Sequence, residues 1–313
     1  MSASVTAFAP ASVSNVACGF DIMGFALEEP GDRVTVRLRD EPGVRITAIR
    51  GESDGLPLDA AVNTAGAPVA AMIRDFAHGK GADIEIEKGL PAGGGIGSSA
   101  ASAVAAAVAT NSILDARLSL EDILKYAIEG ERIASGCVHV DNLAPSLYGG
   151  FILVRGYQPI DVVRIPVHEG LWCTIICPGV VIRTKEARSI LPASIPLTDV
   201  VAQTGNAAGL IAGLLLGDFA LVGRSLHDVI AEPTRSALIP GFAKLKTAAM
   251  RSGALGCSIS GSGPAVFALS ATKGIADAVA SHMGSVLGEM NLPFRMYVSG
   301  VSQRGARIVE GQA

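Results

Sequence analysis

An α+β fold is predicted for this 313-residue chain by three observations. Period-two alternation marks short strands, most of them early. Helical periodicity dominates the later part, without the strict strand–helix alternation of a doubly wound sheet. The length suits about two domains.

The strand signals come in order. Residues 34–39, 44–49 and 83–87 alternate apolar with polar side chains. Residues 151–154, 172–176, 265–269 and 295–298 are further apolar runs bounded by Gly or Pro. Helical patterns cover residues 68–76, the Ala-rich stretch 98–114, and 120–134, where Ser119 is placed as N-cap with Asp122 three positions on. Residues 200–216, 219–230, 242–252 and 273–290 complete the set. Gly, Pro and charge gather at 156–170, which places the expected domains at 1–160 and 161–313. Trp172 reads as core, and His78, His168, His227 and His282 as surface or core residues.

Apolar residues are 49% of the chain and charged residues 17%, with mean hydropathy +0.43, which excludes disorder. The net charge of −4 lacks the basic excess of a nucleic-acid binder. Residues 90–114 and 200–217 are uncharged, but Ser and Ala fill the first, and Gln203, Thr204 and Asn206 interrupt the second. Both are expected to be buried elements of a soluble protein rather than membrane spans. No basic stretch followed by an apolar one opens the chain, so a cytoplasmic location is expected. Cys18, Cys137, Cys173, Cys177 and Cys257 show no CxxC spacing and read as reduced, mostly buried thiols.

The strongest chemical signal is Pro91-Ala-Gly93-Gly94-Gly95-Ile96-Gly97-Ser98-Ser99. A strand leads into it and an Ala-rich helix follows. Glycines let backbone amides approach a ligand, and a helix N-terminus adds free N–H groups and partial positive charge. That combination cradles phosphate, and the serines can join as donors or Mg²⁺ ligands. The loop is not a Walker A motif, since Ser98 stands where Lys is required. Nor is it a dinucleotide fingerprint, because no acidic residue ends a strand about 20 positions on.

Other polar positions stand out. Leu120, Ile123, Leu124, Ala127 and Ile128 form an apolar helix stripe, and Glu131 falls on it. A buried carboxylate needs donors or a cation, and Mg²⁺ shared with a loop serine is one answer; a solvent-facing helix end is the alternative, which fits Glu129 better. His139-Val-Asp141-Asn142-Leu-Ala-Pro145 reads as a polar loop or a set of turn formers. Arg188 and Arg235 lie in an otherwise apolar half. They are either solvated or suited to a substrate carboxylate, which the guanidinium fork pairs with bidentately.

The glycine loop resembles the phosphate loop of the GHMP kinases, which include galactokinases, homoserine kinases and mevalonate kinases. Two further motifs occur in the family's order. Ala9-Pro-Ala-Ser-Val-Ser-Asn15 with Gly19-Phe-Asp-Ile-Met-Gly24 is similar to the first motif of homoserine kinases, with Val16-Ala-Cys18 in place of the usual Leu-Gly-Pro. Residues 253–265, Gly-Ala-Leu-Gly-Cys-Ser-Ile-Ser-Gly-Ser-Gly-Pro-Ala, resemble the C-terminal glycine-rich motif. The resemblance implies an N-terminal ribosomal S5-like domain, a C-terminal ferredoxin-like domain, and ATP with Mg²⁺ as cofactors. It implies transfer of the γ-phosphoryl group to the hydroxyl of L-homoserine, in the service of threonine synthesis.

It also implies roles. The loop 91–99 and Asn63 contact the nucleotide, and Ser99 and Glu131 hold the metal. Asn15, Asp21, His139, Asn142, Arg188 and Arg235 hold the acceptor. Asp141 stands at the position of a catalytic aspartate, with Asn142 and Arg188 beside it in the reaction. Dimerisation is common in the family, and neither nucleic acid nor membrane is an expected partner. A kinase for another small alcohol such as mevalonate, and a non-catalytic nucleotide sensor on the same scaffold, remain the alternatives.

Overall fold

The computed structural model describes residues 4–53, 55–136, 138–167 and 170–312. Cys137 and His168 lie outside them. In chain order the first half forms β1 (Ser4–Ser14), β2 (Met23–Arg39), β3 (Gly43–Gly51), α1 (Gly66–Phe76), β4 (Gly81–Lys88), α2 (Ser98–Ile113), α3 (Leu120–Ser135), α4 (Val140–Tyr148), β5 (Phe151–Tyr157) and β6 (Ile160–Ile165). The second half forms β7 (Trp172–Pro178), α5 (Thr184–Ser189), α6 (Leu197–Leu216), α7 (Phe219–Ser225), α8 (Glu232–Arg235) and α9 (Phe242–Arg251). It continues through β8 (Gly256–Ile259), β9 (Val266–Ser270), α10 (Lys273–Glu289), β10 (Phe294–Gly300) and β11 (Arg307–Gln312).

Two sheets result. The first has the order β11-β1-β2-β4-β3, with the β5–β6 hairpin attached to the opening residues of β2. Within it β3 and β4 pair in parallel. Parallel neighbours need a long crossover, which α1 supplies. The second sheet has the order β10-β7-β9-β8, antiparallel throughout. In its own strand order this is 4-1-3-2, the ferredoxin-like arrangement, and α9 and α10 pack against it. The α+β fold with S5-like and ferredoxin-like halves is therefore present.

The core follows from the alternation. Val34 and Val36 of β2 and Ala82, Ile84 and Ile86 of β4 are buried. Small Ala side chains let α2 lie close on β1 and β2, and Ala100, Ala101 and Ala103–Ala107 have essentially no exposed surface. Phe25 of β2 stacks on Phe151 with centroids 4.7 Å apart and meets Phe267 of the second sheet edge-on at 6.1 Å. Cys18, Cys173, Cys177 and Cys257 are free and buried. Burial pushes the Cys18, Cys177 and Cys257 thiols up to about 12, which leaves them protonated and unreactive.

Four expectations need correction. A division at 160/161 would fall inside β6, which is paired with β5. The chain leaves the first sheet after Ile165, and β11 brings the C-terminus back beside β1, so both chain ends build that sheet. Residues 139–145 do not form a loop but open α4, with Pro145 inside the helix. Proline removes the donor that the Asp141 carbonyl would otherwise receive. That oxygen lies against Gly24, where a Cβ would come within 1.9 Å. The helix expected at 219–230 stops at Ser225, and Asp228 beyond it accepts the amides of residues 230–232 ahead of α8. Lastly, α6 is not a buried element. It is long and apolar enough to cross a membrane by length and composition, yet only 22% of that window is buried, and Leu197, Val201 and Leu216 face outward.

Phe25→Ala removes the ring that touches both sheets. It is expected to cost about 3–5 kcal/mol, read as a lowered unfolding midpoint in urea. A loss below about 1 kcal/mol, within the range of an ordinary surface substitution, would show that other contacts join the sheets.

Candidate active site

The glycine loop turns the chain from β4 into α2 at the floor of a cleft of about 420 Å³ between the two sheets. Gly97 is the N-cap of α2, left-handed at φ 69°, and no side chain caps the helix there. Gly97 also has to be glycine for space, since a Cβ would meet Ser12 Oγ at 2.1 Å. Gly95, at φ 77°, faces the Gly263 carbonyl at 2.8 Å from its would-be Cβ. Glycine at these two positions lets β1 and the C-terminal glycine motif close in behind the loop. Ser12 N–H donates to the Ile96 carbonyl at 3.2 Å, and Ser260 Oγ to the Gly95 carbonyl at 2.6 Å. Gly93, Gly94, Gly95, Gly97, Ser98 and Ser99 line the cleft. Pro91 packs on Gly94, and Ile96 is wholly buried beneath the loop.

The acidic positions gather along one wall. Glu131 is 4% exposed, as its place on the helix stripe predicts. Its Oε2 accepts from Ser99 Oγ at 2.9 Å, and its Oε1 lies 2.9 Å from His139 Nδ1. Burial pulls the His139 ring down, but the hydrogen bond and charge of Glu131 outweigh it and the net shift is upward. Asp141 is 2% exposed, and its Oδ1 has no hydrogen-bond partner among the described residues. Burial, assisted by the charge of Asp21, raises its carboxyl to about 7. Asn142 accepts from Ser12 Oγ at 3.0 Å and donates to Ser14 Oγ at 3.0 Å. Both serines belong to the first motif quoted above and have no role in the sequence reading; they fix the carboxamide.

A second group of cleft residues carries paired charge. Arg188 Nη2 donates to both Asp21 oxygens at 3.0 and 2.9 Å, and Arg188 Nε is buried with no partner among the described residues. Arg235 is buried, with Nε donating to the Ala187 carbonyl at 3.0 Å and Nη1 to the Gly261 carbonyl at 3.1 Å. Burial lowers its pKa from a very high starting value, so it stays charged. Both guanidiniums lie over the Phe20 ring, at 5.6 and 5.0 Å. Asn15 Nδ2 also donates to the Gly261 carbonyl, and its Oδ1 receives the Asp21 amide. Asn15, Val16 and Ala17 are consecutive left-handed residues, with φ 68°, 42° and 58°. For a β-branched valine this is strain of order 1–3 kcal/mol, held in place by complete burial of Val16. Asn63 lines the far end of the cleft, but its amide is engaged with the Pro57 carbonyl and the Ala65 amide.

The reading from residues missed Asp32 and Lys88. Lys88 is paired with Asp32 and donates to Ser98 O, Ser98 Oγ and Ser102 Oγ at 3.0, 2.8 and 2.9 Å. Burial pushes the Asp32 carboxyl up and the Lys88 ammonium down, each opposed by the other's charge. The pair anchors the first turn of α2 from below. Its signal was present: Lys88 continues the inward parity of Ala82, Ile84 and Ile86, as Asp32 does that of Val34 and Val36.

The donor set bears on Mg²⁺. Ser99 and Glu131 are hard oxygen donors beside the α2 N-terminus, and no group of three or more His, Cys, Asp or Glu side chains suited to a metal occurs among the described residues. One carboxylate and one hydroxyl fit an ion that takes its other ligands from phosphate oxygens and water.

Residues 63–150 match the N-terminal domain pattern of the GHMP kinases, and residues 210–288 match their C-terminal pattern. The chain is 47% identical to a homoserine kinase of Chlorobium phaeobacteroides, over 97% of this chain and 99% of that one. The crystal structure of homoserine kinase from Cytophaga hutchinsonii superimposes with a TM-score of 0.94 at 49% identity, covering 98% of this chain and 97% of that one. An L. major mevalonate kinase, solved with R-mevalonate, shares the fold at TM-score 0.71 and 17% identity, over 93% of this chain and 94% of that one.

Asp141 generates a stability prediction. Its folded pKa of about 7 exceeds that of an unfolded Asp, so the folded state holds the proton more tightly. Below the unfolded pKa, near 4, the group costs nothing; the cost grows as pH rises and is complete above about 7. Asp141→Asn should therefore raise the melting temperature at pH 8 and have little effect at pH 4. A difference that grows toward acid would overturn this assignment.

Proposed function

The chain belongs to the homoserine kinases of the GHMP kinase superfamily, and from that membership we propose how its own cleft residues carry the transfer from ATP to L-homoserine. The products are O-phospho-L-homoserine and ADP. One observation carries the reading: the Asp21–Arg188 pair stands with Arg235 in the same cleft as the glycine loop. An α-amino acid brings an ammonium and a carboxylate, and these ends match Asp21 and the two guanidiniums respectively.

The amides of residues 93–99 and the positive pole of α2 hold the phosphates. Ser99 and Glu131 would hold Mg²⁺, which neutralises phosphate charge when bound. Arg188 offers its Nε–H, which has no partner among the described residues, to the substrate carboxylate, and Asp21 and Asn15 receive the ammonium. His139 and the serine-fixed Asn142 orient the acceptor beside Asp141. The homoserine oxygen forms its bond to the γ-phosphorus as the bond to the β–γ bridging oxygen breaks, and the hydroxyl proton departs. With its carboxyl near 7, Asp141 is partly ionised at neutral pH and able to take that proton. Positioning and charge neutralisation supply most of the catalysis, as in phosphoryl transfer generally. The Asn63 segment serves the nucleoside end. The free cysteines accord with action in the cytoplasm. Mevalonate, a carboxylate without an ammonium, leaves Asp21 without a substrate partner and is disfavoured for that reason.

Purified protein with Mg-ATP should release ADP with homoserine and not with mevalonate, shikimate or galactose; release with mevalonate alone would overturn the assignment. Arg188→Ala should raise KM for homoserine about tenfold to a hundredfold and leave KM for ATP nearly unchanged. Equal weakening of both substrates would show a structural role. Glu131→Gln should lower kcat and shift the Mg²⁺ dependence upward, and an unchanged Mg²⁺ profile would remove it from the metal site.

A further inference from the structure

Gln203 of α6 and Asp228 lie outside the cleft, yet every polar atom of their side chains is engaged. Gln203 is 8% exposed and Asp228 6%. Gln203 Nε2 donates to the Cys18 carbonyl at 3.1 Å and to Asp228 Oδ1 at 3.0 Å, and its Oε1 accepts from the Val229 amide at 3.0 Å. Asp228 Oδ1 accepts the Ile230 and Ala231 amides at 2.8 and 3.0 Å, and Oδ2 accepts the Glu232 amide at 2.8 Å. These three amides lead directly into α8, whose last residue is Arg235.

The two ends of this node reach the same place. Cys18 precedes Phe20 and Asp21, in a segment that leaves the left-handed turn at 15–17 and so has no regular ladder to hold it. Arg235, at the other end, donates to the carbonyl of Ala187, the residue before Arg188. Arg188 closes the circuit by pairing with Asp21. A four-residue helix such as α8 has no stability of its own, so its orientation depends on what caps it. The capping carboxylate is itself held by the amide that holds the Cys18 segment.

We propose that Gln203 and Asp228 are positioning residues that set the distance between the ammonium-binding carboxylate of Asp21 and the carboxylate-binding guanidinium of Arg235. They touch no substrate; they act through the backbone at 18–21 and 229–235. This inference rests on the reading of the acceptor as homoserine. It places part of the amino-acid specificity on α6, a helix that lines none of the cleft.

Gln203→Met keeps the length and volume of the side chain and removes its hydrogen bonds. Asp228→Asn keeps an Oδ1 acceptor and removes the acceptor for Glu232. Steady-state kinetics of both variants and the parent, varying homoserine and ATP separately, test the proposal. Gln203→Met is expected to raise KM for homoserine about tenfold, with kcat and KM for ATP changed less than about threefold. Asp228→Asn should show the same split, more weakly, and serves alone should the methionine variant not fold. A lowered melting temperature with both KM values unchanged, or both raised in parallel, would reduce the pair to a structural role and overturn the proposal. A parent enzyme that ignores homoserine would strike the substrate reading instead, so the two failures are distinguishable.

Discussion

The cleft depends on the closeness with which two distant segments approach the turn at residues 95–97. Ser12 Oγ occupies the space that a side chain at position 97 would need, and the Gly263 carbonyl crowds the same space at 95. Because neither glycine has a Cβ, β1 and the C-terminal motif close in from behind. The loop carbonyls of Gly95 and Ile96 bond those segments. The Gly94 amide turns back to the Pro91 carbonyl, and the N-terminus of α2 borders the cleft, where the helix dipole favours negative charge. Glycine at 95 and 97 thus has a structural cause in the closeness of these segments.

Charge around the loop is arranged in pairs. Lys88 answers Asp32 beneath α2, His139 answers Glu131, and Arg188 answers Asp21. Burial makes an unanswered carboxylate costly. Asp141 forms no ion pair among the described residues, and its carboxyl rises to about 7. The residue whose proton affinity is moved into the neutral range is thus a buried carboxylate without an ion-pair partner among the described residues, and it stands beside His139 and Asn142. A perturbed acid in a cleft is where proton transfer is expected.

The part of the cleft around the Asp21–Arg188 pair is assembled differently. Asn15 and Asp21 come from an irregular segment, Arg188 from α5, and Arg235 from α8, a helix of a single turn. Short elements with little ladder bonding depend on side-chain ties for their geometry. The Gly261 carbonyl, which accepts from both Asn15 and Arg235, and the Gln203–Asp228 node are such ties. Phe20 beneath both guanidiniums gives them a common apolar floor.

Much of this protein is legible in the order of its residues. Alternation located β3, β4 and the later part of β2, apolar runs located β5, β7, β9 and β10, and periodicity placed Glu131 on a buried stripe, whereas β1, β6, β8 and β11 went unread. The same alternation also pointed Asp32 and Lys88 inward, a signal that the sequence reading passed over. These are local properties, expressed within a few residues along one element. Misreadings arose where local preference lost to distant packing. Pro145 and its polar neighbours favour a loop in isolation, yet they form α4 because the Asp141 carbonyl is accommodated against Gly24. Residues 200–216 are apolar enough to suggest burial, and the fold leaves most of that helix outside. Which polar groups meet is a matter of tertiary structure. Ser12 and Asn142, 130 positions apart, and Arg188 and Asp21, 167 apart, bond at about 3 Å. A hydrogen bond acts over that short distance alone, and no local pattern encodes where two such remote segments will cross.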